Sequence, residues 1–458
     1  MMQSALLART MLVAFAITGV AAFGADFRAG AGKSEIQTSP DMWPIEGLTS
    51  QHDPLFVRVL IMDDGKNRAA IVVIDQPGVS DSTGSGVKAT LTRLAGVPPE
   101  NAIYVASHAV MAPHYGGPAA GVLQGGNTGL GVPSPQSPGV VAFGKAIDTA
   151  VESAVTQAKN SLQPAKVGFG LGTTDVNVNR DIPTPQGWAL GANAAGFSDK
   201  TLPVVRIDKL DGKPLAVLIG SPVLPMVMAE STDKNGGKPV TADLAGAVPR
   251  FVEQWYGGGV VGFFVMGTCV DQWPILVTNR YVLNRDGSTS RVDIHEAGFI
   301  LLDLLGERLG AETVEASEGI KANAQPTVEV WRRTLKVPSQ VSTHGAQTTG
   351  PVLSYTYQPG PQIDLRVVLM RIGDIVIVGL QPELASSIGA QIREHSPFAH
   401  TIVVTMVEGG ARFMADTQSY ERFTYEARDS QYARGAAELT ISGFDNLLTQ
   451  MQKSSAGQ

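Results

Sequence analysis

Short apolar, β-branched runs recur along the chain, separated by Asp, Gly and Pro. Leu55–Met62 and Ala69–Ile74 flank an Asp-Asp-Gly-Lys-Asn turn. Val204–Ile207 and Leu215–Ile219 flank Asp208 to Pro214, and Leu365–Ile372 and Ile375–Gly379 flank a Gly-Asp turn. Such pairs predict three β-hairpins. Ala102–Ala106, Val260–Met266 and Thr401–Met406 read as single buried strands. Between them, Ile147, Val151, Val155, Ala158 and Leu162 recur at helical spacing, with Asp148, Glu152 and Lys159 on the other faces, so Val140–Leu162 predicts an amphipathic helix. Leu301–Leu309 and Leu384–Ile392 predict shorter helices, and the polar tail after Leu448 predicts fraying. Mixed strands and helices imply an α/β or mixed α+β fold, a central mixed sheet flanked by helices.

Composition narrows the class. Of 458 residues, 43% are hydrophobic and 17% charged, which fits a globular core. The net charge of -7, with no basic stretch, argues against a nucleic-acid partner. Arg9, the apolar run Met11–Ala22 and the small residues ending at Gly24 match a signal peptide over 1–24, cleaved before Ala25. The expectation is an exported protein, periplasmic or extracellular, with no membrane span once the leader is removed. A single cysteine, Cys269, rules out an internal disulfide.

Chemistry-bearing residues cluster just past the strands: Asp75, His108, Ser221, Asp271, Glu383 and Glu408. Sites in open α/β sheets form beyond strand carboxyl ends, so these six loops are expected to converge. The Gly/Pro/Ser-rich loop 116–139 is a candidate border of that crevice. Gly30-Ala31-Gly32-Lys33-Ser34 imitates the end of a phosphate loop, but Phe27 stands where the first glycine belongs. Nucleotide binding is therefore rejected. Cys269 would need a base and a lowered pKa to act as a nucleophile; a small buried side chain is the simpler reading. Asn177-Val178-Asn179-Arg180 offers two amides and a guanidinium for a substrate carbonyl or carboxylate. Asp271-Gln272-Trp273-Pro274 sets a carboxylate beside an indole, as a partner of a metal-bound histidine or as a cap. Gln381-Pro382-Glu383 ends a buried strand with a candidate ligand or base.

Taken in order, these segments resemble the neutral, non-lysosomal ceramidase family in its N-terminal catalytic domain. The resemblance runs from Phe27 to Leu448. It takes in Arg28 to Ile36, His52-Asp53-Pro54-Leu55, Ala106-Ser107-His108, Val176 to Arg180, Thr241 to Gly246, Gly267 to Pro274, Pro382-Glu383, Ser396-Pro397 and Tyr425-Glu426. It implies one domain over 25–458, without the C-terminal β-sandwich domain of full-length ceramidases. It also implies an exported hydrolase of an N-acyl bond, acting on a small-molecule or lipid substrate through zinc-activated water.

Family zinc ligands are two histidines, a glutamate and a tyrosine. The resemblance gives His108 and Glu383 as metal ligands. It puts Leu224 at the second histidine and Phe413 at the tyrosine; Val110 replaces a further histidine and Trp273 a serine. Neither Leu224 nor Phe413 offers a lone pair, and catalytic zinc normally holds three protein ligands. Zinc therefore needs rescue by another donor. His114 is the candidate metal ligand, with Asp243 and Asp271 as candidate carboxylates; Asp271 and Arg180 are the candidate catalytic residues. If no rescue occurs, a non-catalytic relative binding a lipid or carbohydrate in the same crevice is expected.

Overall fold

Two of the three expected hairpins lie in one eight-stranded mixed sheet of the computed structural model, which describes residues 27–115, 137–322, 326–341 and 350–456. The expected leader and nearly all of loop 116–139 fall outside these residues. The strand order is Val261–Met266, Pro214–Ser221, Thr201–Lys209, Gln163–Thr173, Arg28–Glu35, Phe56–Asp63, Arg68–Ile74, Ala102–Ala106. The pairs at the two edges are parallel and the rest antiparallel. The third hairpin belongs to a four-stranded sheet, Val328–Gln340, Pro359–Ile372, Ile375–Leu380 and His400–Val404.

Side-chain alternation then sets the layers. Along Phe56–Asp63, Val57, Val59 and Ile61 face a helical layer, while Leu60 and Met62 face the four-stranded sheet. Helices Asp81–Ala95 and Pro138–Asn160 cover one half of the large sheet, and Leu244–Tyr256 and Gly298–Glu318 the other. Val328, Met370, Ile377 and Val404 of the small sheet pack against Leu60, Val73, Val105 and Leu218 of the large one. Ser386–His395 and Ala436–Ala456 close the outer face of the small sheet. The result is helix, sheet, sheet, helix.

The glycines that imitate a phosphate-loop fragment sit in the strand Arg28–Glu35, beneath helix Pro138–Asn160. A Cβ at Gly30 would lie 2.1 Å from the Ala158 carbonyl oxygen, and one at Gly32 2.2 Å from that of Ala154. Close helix–sheet approach accounts for both. The tail expected to fray is instead helical to Ala456, because Phe444, Leu448 and Met451 are buried against the small sheet. Among the described residues, no helix is long and apolar enough to cross a membrane.

Candidate functional site

A short antiparallel pairing of Gln272–Pro274 with Asn177–Asn179 brings the two polar motifs together. The Arg180 amide donates to the Asp271 carbonyl at 2.8 Å. Asn177 Nδ2 donates to Gln272 Oε1, Asp199 O and Pro222 O, which fixes the loop after Ser221. A parallel bridge sets Glu383 beside Phe413. These loops border a crevice of about 560 Å³ with His108, Leu224, Trp273, Tyr425 and the hairpin residues Tyr281 and Arg291 on its walls.

His108 and Glu383 meet there, Nε2 to Oε2 at 3.4 Å. His108 adopts a positive φ of 62°, and its Nδ1 lies 2.9 Å from the Pro77 carbonyl. A carbonyl only accepts, so Nδ1 carries a proton and Nε2 faces Glu383. His114 is directed elsewhere. Its Nδ1 and its backbone N–H both meet Glu46 Oε2, at 3.0 and 2.8 Å.

Asp271 sits just behind the crevice. Its Oδ1 accepts Ser386 N–H at 2.7 Å, at the start of helix Ser386–His395. Its Oδ2 accepts from Ser386 Oγ at 2.7 Å, Gln272 Nε2 at 3.0 Å and Asn179 Nδ2 at 3.3 Å. Burial pushes the carboxyl up to about 6, although Ser386 and Gln272 donate to it. This is a scaffold carboxylate that also caps a helix. Asp243 plays the same part for the crevice wall. It accepts the N–H groups of Val227, Met228 and Leu244, and burial likewise pushes it up to about 6.

Of the six loop residues expected to converge, His108 and Glu383 line the crevice. Asp75 pairs with Arg58 in the buried sheet interior, Ser221 bonds its own loop at Val223, and Glu408 pairs with Lys88 and Arg332. Cys269 is fully buried, and burial together with Glu383 and Asp271 pushes its thiol well up, so it is not a thiolate nucleophile.

Arg180 is 3% exposed and borders the crevice. Its Nε pairs with Glu426, and its guanidinium lies 5.5–5.7 Å from the ring centres of Phe413, Trp273 and Tyr425. Burial opposes its charge, but Glu426 and Asp181 outweigh that and hold it firmly protonated. Asp181 itself is raised, first by burial and then by the Glu426 charge. Two N–H groups of this corner, Arg180 Nη2 and Trp273 Nε1, are buried without a hydrogen-bond partner. The pairing of carboxylate and indole read from Asp271 to Pro274 is present, with Trp273 on the crevice wall and Asp271 behind it.

His108 and Glu383 do not by themselves make a catalytic zinc site, although Tyr281 and Tyr425 also border the crevice. Leu224 is 1% exposed and Phe413 7% exposed on the same walls as His108 and Glu383. Among the described residues no group of three His, Cys, Asp or Glu is placed to hold a metal. Two donors fall short of the usual three.

No protein-family model matches the sequence, and no curated protein matches it. Solved structures do match. Neutral ceramidase from Pseudomonas aeruginosa superposes with a TM-score of 0.67 at 15% identity, covering 92% of this chain and 73% of that one. A structure described as ceramidase complexed with C2 gives 0.66 at 15% identity, over 92% and 74%. On that coverage, this chain has the fold of the neutral ceramidases, and it departs from them widely in sequence.

Proposed function

We propose that this chain is an exported, ceramidase-like protein whose crevice takes an amphipathic small molecule without zinc-activated water. The donor set carries the reading: His108 and Glu383 face each other where Leu224 and Phe413 stand at the other two ligand positions that the family resemblance implies. A crevice of about 560 Å³ suits a small organic ligand. Leu224, Met226, Val110 and Phe413 supply its apolar lining. Export rests on the leader at 1–24, and the expected secreted form begins at Ala25.

A second reading, metal-free hydrolysis of an N-acyl bond, has the His108–Glu383 pair in its favour. Such a pair would take a proton from water attacking the acyl carbon and return it to the leaving amine.

Zinc analysis of the purified protein, with turnover of N-acyl substrates, separates these readings. Zinc well below one per chain and no turnover are expected. Chelator-resistant turnover would support the second reading. Stoichiometric zinc with chelator-sensitive turnover would overturn both. The double variant Leu224→His, Phe413→Tyr restores two donors and is expected to raise zinc content toward one per chain.

A further inference from the structure

We propose that the hairpin of Asn279–Leu283 and Thr289–Asp293 is a hinged flap that opens and closes the crevice, latched at its tip by Gln186. The inference rests on the ligand-binding reading above and adds the route by which a ligand enters.

The two strands form a small antiparallel sheet of their own, apart from the two large ones. Their register sets Tyr281 opposite Arg291, on the same face as Asn279, and these three side chains border the crevice. Alternation turns Arg280, Val282, Ser290 and Val292 the other way. Along 279–293 only Gly287 is buried, and no apolar side chain of the hairpin joins a core cluster. A two-stranded sheet without a packed apolar face is marginally stable by itself. Segments with few buried apolar contacts also open locally at low cost.

The root of the hairpin is clamped. Thr278 is fully buried; its N–H donates to the Val227 carbonyl at 2.8 Å, and its own carbonyl accepts from Ile294 N–H at 3.2 Å. Asn279 Nδ2 donates to the Glu230 carbonyl at 2.7 Å. On the other strand, the Asp293 carboxylate accepts Ser231 Oγ–H, Thr232 N–H and His295 N–H at 2.8, 3.0 and 2.9 Å. Both strands are thus fixed at one end, which makes that end a hinge.

Toward the tip the hold is lighter. Tyr281 stacks on Trp273 with ring centres 6.0 Å apart, and Gln186 Nε2 donates to the Asp286 carbonyl at 3.2 Å in an exposed bond. Gly287 permits that approach: its φ is 84°, and a Cβ there would lie 2.3 Å from Gln186 Oε1. The bonds from Arg291 to Asn279 Oδ1 and Tyr281 Oη stay inside the hairpin and travel with it. A ring stack and an exposed hydrogen bond are each worth about tenfold or less in an equilibrium. The hairpin therefore swings as one unit about Thr278 and Asp293, and its closure brings Tyr281 and Arg291 back onto the ligand.

Hydrogen exchange of the purified full chain, read by mass spectrometry, tests the motion. Amides of 279–293 are expected to exchange faster than those of the neighbouring pair 177–179 and 272–274. Gln186→Ala removes the latch and is expected to speed exchange in 279–293 by about two- to tenfold, with the melting temperature unchanged. Gln186→Cys with Asp286→Cys, bridged by a short bismaleimide, pins the tip; Cys269 is fully buried and stays out of the reaction. Stopped-flow fluorescence then follows uptake of N-phenyl-1-naphthylamine, a neutral apolar probe. Bridging is expected to slow uptake and release alike by at least about tenfold, with Kd close to that of the unbridged pair. Exchange in 279–293 indifferent to Gln186→Ala, or uptake as fast bridged as unbridged, would overturn the flap while leaving ligand binding intact. No probe binding in either form, with exchange still sensitive to Gln186→Ala, would instead overturn the ligand-binding reading and leave the moving hairpin standing.

Discussion

Asp271→Asn separates a scaffold carboxylate from a catalytic one through the pH dependence of stability. The folded Asp271 carboxyl is pushed up to about 6 from 3.8, chiefly by burial. That displacement corresponds to about 3 kcal/mol between the two protonation states. The sign follows from proton binding. Between pH 3.8 and 6 the folded chain holds this proton and the unfolded chain does not, so stability rises as pH falls through 6. From pH 7.5 to pH 5 the gain is on the order of 1 kcal/mol, and the remainder develops nearer pH 3.8. Asparagine resembles the protonated acid: its oxygen accepts Ser386 N–H and its amide donates to Ser386 Oγ, at the cost of the weaker Gln272 and Asn179 bonds. The variant lacks the titrating group, so its stability between those pH values should rise by on the order of 1 kcal/mol less than the parent's. Asp243, also raised to about 6, contributes equally to both proteins and cancels. Urea denaturation of each protein at pH 7.5 and pH 5 measures the difference. Parallel pH dependences would refute the burial argument, and a catalytic role would show as lost turnover with no change in stability slope.

Two further substitutions probe buried and half-buried ion pairs. Arg180→Met leaves Glu426 buried beside Asp181 with no cation, and is expected to cost about 3–5 kcal/mol by urea denaturation; a loss under 1 kcal/mol would show that the pair is not what holds this corner. His114→Ala removes the contact to Glu46, and is expected to cost about 1 kcal/mol in stability while leaving zinc content unchanged; zinc lost on this substitution would place His114 in a metal site after all.

Local pattern located most of the fold because each signal was carried within a few residues. The three hairpins and the strand Ala102–Ala106 appear where alternation and turn residues put them. Helix Asp81–Ala95 was invisible because Thr, Gly and Ser dilute its apolar face. Its fixing contacts are a Ser80 cap and Gly84 lying against Tyr104, neither of which reads as helical periodicity. The long strand Val328–Gln340 was also missed. Charged residues interrupt its apolar pattern, and only pairing with Pro359–Ile372 makes it a strand. The layered arrangement of the sheets depends on which faces meet, and no single segment states that.

The candidate site divides along the same line. His108 and Glu383 were legible because each is a polar residue ending a buried strand, and the bridge that sets Glu383 beside Phe413 turns that pattern into a wall. His114 was attractive only by its distance along the chain, and Glu46, 68 residues away, decides where its ring points. The most informative feature is one that sequence registers as a loss. Trp273 stands where the family carries a serine, and a comparison of motifs scores that as decay. In three dimensions the indole brings a buried N–H beside the unpartnered arm of Arg180. Leucine and phenylalanine at the former ligand positions likewise remove lone pairs and dry the wall, which strengthens any charge left inside it. The guanidinium of Arg180, paired with Glu426 and ringed by three aromatic side chains, is part of what holds this wall of the crevice together, because removing either member would leave a buried charge unpaired. The buried pair therefore fixes the shape of the crevice wall whether or not a metal stands beside His108 and Glu383.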